Sequence, residues 1–141
     1  MSAPSATPAG GAVRGGVRAL LRAEATLLLA LSLWAYHRHG AGWGVFALCF
    51  LLPDLAFLGY LAGPRIGALA YNATHALVGP LLLLALGAAS GVRPLLAAGL
   101  VWIAHVGFDR MLGYGLKYPA GFRETHLGRI GRDRPSAQRA P

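Results

Sequence analysis

Apolar residues in this chain run in four long blocks, each closed by a short polar or glycine- and proline-containing interruption. The blocks cover about residues 20–36, 43–61, 67–88 and 95–112. A helix needs about 20 predominantly apolar residues to cross about 30 Å of hydrocarbon. The blocks approach that length, so the pattern predicts an all-α, four-helix transmembrane bundle. His37-Arg38-His39-Gly40, Ala62-Gly63-Pro64-Arg65 and Gly91-Val92-Arg93-Pro94 supply the turns. Pro53 and Gly79-Pro80 fall inside blocks, where a proline removes a backbone hydrogen bond and kinks a helix. Trp34 and Tyr36 suit an interfacial belt. Gly113-Tyr114-Gly115 stops the last helix, and residues 113–131 follow as a cap segment on the cytoplasmic side. Residues 1–16, rich in Ala, Pro, Gly and Ser, and residues 132–141 read as disordered tails.

Composition supports the membrane reading. Hydrophobic residues make up 55% and charged residues 13% of the chain, against about 25% charged in a soluble domain. The net charge of +8 is confined mainly to the two ends. Without a basic patch interleaved with aromatics, it does not indicate nucleic acid as a partner. Arg14, Arg18 and Arg22 precede the first block, and Arg110, Lys117, Arg123, Arg129, Arg132, Arg134 and Arg139 lie at or beyond the base of the fourth. The loops on the other side hold only Arg38 and Arg93. The positive-inside rule then places both termini in the cytoplasm of a multi-pass inner-membrane protein. The single cysteine, Cys49, excludes an internal disulfide and reads as apolar filling.

Six polar residues that could bear chemistry fall inside the blocks, in the half nearer the termini. At 1.5 Å per residue, Asp54, His75 and His105 lie about 12 Å deep, and Glu24, Asn72 and Asp109 about 6–8 Å. A carboxylate at the depth of Asp54 is expensive unless it faces protein or water, and marks a functional site by default. Alone, His75 or His105 would read as a satisfied core histidine. Together at one depth with Asp54, they suit a divalent metal of the Zn, Mn or Fe type. Asp109 lies one helical turn from His105. It serves equally as a further ligand, as a carboxylate orienting His105, or as a partner of Arg110. Glu24 and Asp109 are the candidates to orient or deprotonate a water, although Glu24 fits an interfacial first-turn acid just as well. Asn72 suits either a ligand or a helix cross-link. Tyr114, Lys117, Arg123 and His126 form either a cap over the mouth or an interfacial segment meeting anionic lipid headgroups.

The stretches LPDLAFLGYLAGPRIGALAYNATHALVGP and WIAHVGFDRMLGYGLKYPAGFRETHLGRIG resemble the bacterial family called domain of unknown function 4260, over about Leu20 to Gly131. That resemblance implies a small integral membrane protein and carries no biochemical activity. Pro53-Asp54, a downstream histidine, and His-xxx-Asp before GYG are also similar to membrane-bound metal-dependent hydrolases of the YdjM type. This second similarity implies ligand positions at Asp54, His75, His105 and Asp109. The chain departs at the central motif, where Tyr71-Asn72-Ala73-Thr74-His75-Ala76 stands against His-Arg-Gly-x-Thr-His-Ser.

The resulting expectation is a membrane protein with a metal-binding pocket that hydrolyses a membrane-associated ester or phosphoester. Two other classes fit the same residues. One is a transport or proton-relay component, and the other is a structural subunit of an oligomer or of a protein partner.

Overall fold

The apolar blocks fold into four membrane-length helical segments, Gly15–His39, Trp43–Ala62, Pro64–Ser90 and Arg93–Leu112. They are seen in a computed structural model that describes residues 11–131. The fold is an all-α bundle, with one two-stranded hairpin at the C-terminal side. The expected tails over 1–10 and 132–141 lie outside the described residues. The remainder of the expected N-terminal tail is tied down. Gly15 already opens α1 (Gly15–His39), and the Val13 N–H donates to the His126 carbonyl at 2.8 Å. Both described ends therefore sit at one end of the bundle, the cap end.

Large apolar side chains cover the outside. Leu48, Leu61 and Leu69 are 79%, 87% and 72% exposed, a surface that suits lipid and would be costly in water. The chain is a multi-pass membrane protein. Its buried hub is α5 (Arg93–Leu112), against which α1, α2 (Trp43–Phe50) and α4 (Val78–Ser90) pack. Small residues bring backbones together there. A Cβ on Gly107 would stand 3.0 Å from the Leu29 nitrogen, and one on Gly99 would stand 2.9 Å from the Leu84 nitrogen. Cys49 packs, partly buried, beside the cluster of Tyr36, Ala97, Leu100 and Val101.

The prolines act where the sequence places them, and more strongly than a kink. α2 ends at Phe50, and Leu52–Ala62 continue as a 3-10 helix. Pro53 cannot donate within an α-helix, and the Asp54 N–H bonds instead to the Leu51 carbonyl at 3.1 Å. With 3.0 residues per turn, side chains three apart eclipse. Asp54, Phe57 and Tyr60 thus form one row. In the next segment, Pro80 takes away the hydrogen bond that the Ala76 carbonyl would accept, and its ring crowds that carbonyl. Ala76 turns extended (φ −78°, ψ 145°), so α3 (Pro64–His75) ends and α4 begins.

The hairpin pairs Glu124–Thr125 (β1) with Gly128–Arg129 (β2). Lys117 adds a bridge to Thr125, and Leu127 is buried at 1% exposure. α5 stops where the spacing predicts. Gly113 adopts φ 98° and donates to Arg110, while Tyr114 donates to Asp109. A side chain rarely adopts that backbone conformation.

The close α1–α5 approach predicts that Gly107→Val destabilises the bundle by about 1–3 kcal/mol through overpacking. Reversible unfolding in mixed micelles measures this, and wild-type stability in the variant would contradict the packing.

Candidate metal centre

Four side chains from three elements meet inside the cap half of the bundle. Asp54 comes from the 3-10 helix, His75 from the last turn of α3, and His105 and Asp109 from α5. One donor atom from each lies within 4.8 Å of the others. The Nε2 atoms of His75 and His105 are 3.0 Å apart. Asp54 Oδ1 is 3.4 Å from each of them. Asp109 Oδ2 is 3.4 Å from His75 Nε2 and 3.9 Å from His105 Nε2. Both imidazoles are buried, and the Asp54 side chain is 32% exposed, which makes it the open edge of the cluster.

By helix rise alone, Asp109 lies in a shallower layer than His105, by about 6 Å. Side chains on a helix lean back toward its N-terminus. The Asp109 carboxylate therefore reaches down over His105 and joins the deep set.

Surrounding groups hold the donors in place. His75 Nδ1 lies 2.9 Å from the Tyr71 carbonyl and 2.8 Å from Thr74 Oγ1. With the Nδ1 proton on that carbonyl, the Nε2 lone pair faces the cluster. The Tyr71 hydroxyl donates to Asp109 Oδ2 at 3.0 Å, and its ring stacks on His75 at 3.7 Å. Thr74 Oγ1 donates to the Pro53 carbonyl at 3.1 Å, tying α3 to the element that carries Asp54. The carbonyls freed at the end of α3 are taken up from α5. Trp102 Nε1 donates to Thr74 at 2.5 Å, and Arg110 donates to His75 at 3.2 Å. His105 is buried, and the Phe50 ring meets its imidazole edge-on at 5.2 Å.

The other expected site residues stand elsewhere. Asn72 shares α3 with His75 but grips the cap backbone, donating to the Lys117 carbonyl at 2.8 Å and accepting from its N–H at 2.7 Å. Lys117 turns inward. It is 3% exposed, its Nζ donates to the Phe122 carbonyl at 2.8 Å, and it sits over the Phe122 ring at 3.8 Å. Burial pulls its pKa down to about 8, against the opposing pull of Asp109. Tyr114 is exposed, and Arg123 Nε donates to the Ile130 carbonyl at 2.6 Å. Glu24 is outside the four-residue cluster. It lines a separate cavity of about 260 Å³ with Arg110, His126 and Leu127.

His126 Nδ1 accepts the Leu116 N–H at 2.8 Å, which requires a neutral imidazole. Tyr71 and Thr74 carry roles that sequence reading missed. Their signal was spacing, since Tyr71 lies one turn before His75 on the same face.

Burial, then the nearby Arg110 charge, lowers the His126 pKa below 6.5. Between 6.5 and that lowered value the unfolded chain binds more protons, so stability falls as pH drops through the window. The Leu116 amide should lose hydrogen-exchange protection from pH 7 to pH 5, and His126→Asn should flatten that dependence. Equal acid sensitivity in both proteins would refute it.

No curated protein and no solved structure matches the chain at a significant level. A family described as domain of unknown function DUF4260 matches residues 18–130. A multi-pass helical bundle holding a potential His2Asp2 donor set beneath a hairpin cap is, on that match, a member of the DUF4260 family.

Proposed function

We propose that Asp54, His75, His105 and Asp109 hold one divalent metal ion of the Zn, Mn or Fe type. On this reading the protein is a metal-dependent hydrolase acting on a membrane-associated ester or phosphoester. The observation that carries the reading is the donor spacing. Ligands about 2.05 Å from a common centre stand about 3.3 Å apart in a tetrahedron, and about 2.9–3.0 Å apart in an octahedron. Five of the six donor separations run from 3.0 to 3.9 Å, and all six are within 4.8 Å. Two carboxylates balance a dication, and the supported His75 tautomer leaves its donor atom free. A bound ion of this type supplies Lewis-acid polarisation and makes water more acidic.

The chain's own residues supply the rest. Tyr71 orients Asp109 through its hydroxyl and His75 through its carbonyl. Asp54, as the exposed edge, is the side from which substrate approaches. Arg110, which donates to the His75 carbonyl, lines the cavity toward the cap with Glu24 and His126 and keeps positive charge close to the cluster. The basic residues near both ends support an inner-membrane orientation with the cap in the cytoplasm.

The 3.0 Å contact between His75 and His105 also favours a second reading, a proton relay without metal. Metal content separates the two. Purified wild type should carry about one ion per chain, and Asp54→Ala and His105→Ala should lose it. Tyr71→Phe should keep the fold and weaken affinity by about 10–100-fold. Wild type with no more metal than the alanine variants would end the metal reading. Proton flux into liposomes that disappears in the same variants would then support the relay.

A further inference from the structure

At the end of the bundle away from the cap, three cavities join into one groove. The outermost, of about 260 Å³, is lined by Arg38, His39, Gly87 and Arg93. It shares His39, Gly40 and Arg93 with a second of about 330 Å³. The second shares Cys49, Ala98 and Val101 with a third of about 300 Å³, which ends at Pro53, Thr74 and Trp102. The mouth is polar and cationic, and the interior walls are apolar. Along α5 the groove runs from Arg93 to Trp102, a length of about 13 Å at 1.5 Å per residue. That is close to half of the roughly 30 Å hydrocarbon thickness, or one leaflet.

The structure assigns this groove to an acyl chain of an anionic phospholipid, with the phosphate between Arg38 and Arg93. Charge complementarity selects the headgroup. Neither arginine has an ion-pair or hydrogen-bond partner among the described residues. The described acids, Glu24, Asp54, Asp109 and Glu124, all lie in the cap half of the bundle. Two guanidinium groups at a helix turn suit the planar, multi-acceptor geometry of phosphate.

The groove also fixes the direction of the lipid. Its ester bonds lie near the arginines, and its terminal methyl end lies beside Pro53 and Thr74. The reacting bonds are a groove's length from Asp54 and His75, so this lipid is a resident structural component and is not the hydrolysed substrate. The assignment does not depend on the metal reading.

The test is lipid retention by native mass spectrometry. Protein is released from nanodiscs of equimolar phosphatidylglycerol and phosphatidylcholine. Wild type should retain phosphatidylglycerol over phosphatidylcholine by about tenfold or more. Arg38→Gln with Arg93→Gln should abolish that preference, while Arg38→Lys with Arg93→Lys should keep part of it. Ala98→Phe should lower occupancy by both lipids, and Leu69→Phe on the lipid-facing side of α3 should not. If Ala98→Phe fails to fold, Val45→Phe on the opposite wall carries the same expectation. Equal retention of the two lipids by wild type would overturn the assignment. So would a preference that survives the glutamine pair, or occupancy unchanged by a filled groove.

Discussion

Within an apolar bundle a polar group has no water to turn to, and its partner must come from the protein. That constraint governs the break at Ala76 and Leu77. Pro80 ends α3 at His75 and frees the carbonyls of Thr74 and His75 deep in a membrane segment. Trp102 and Arg110 satisfy them. The same two bonds lock α5 in register against α3, and this register brings His105 and Asp109 to His75. Gly79 helps by leaving room for the Trp102 indole, whose ring atoms would lie 2.8 Å from an added Cβ.

The 3-10 segment makes the complementary contribution. An α-helix over Leu52–Ala62 would rotate Phe57 and Tyr60 progressively away from Asp54. The tighter helix keeps the three in one row. Asp54 then faces the histidines, while Phe57 and Tyr60 meet Tyr71 and Phe122 above. A single proline thus connects the cluster to the cap. Lys117 completes that layer, its charge held among aromatic faces and a backbone carbonyl.

The two ends of the bundle differ in chemistry. At the cap end, cations are mostly used internally: Arg22 donates to the Met111 carbonyl, Arg110 to His75 and Lys117 to Phe122. At the other end, Arg38 and Arg93 flank a groove. A cap closed by backbone hydrogen bonds and an opposite end open to lipid give the molecule a polarity beyond its charge count.

Much of this was determined by the sequence alone. Apolar block lengths settled the all-α membrane class, Gly113 settled where α5 stops, and the depths of Asp54, His75 and His105 predicted their meeting. Depth is legible because rise per residue is constant along a helix. Rotation and side-chain lean are not, so depth alone sets Asp109 in a shallower layer than His105 and leaves Asn72 open between a ligand and a helix cross-link. The hairpin at Glu124–Arg129 was also beyond reach, because two-residue strands carry no periodic signal. Only the tertiary structure decided which polar groups serve one another. Hydrogen bonding across helices depends on register and rotation, and in lipid those are set by packing and by the backbone groups that each proline leaves unpaired.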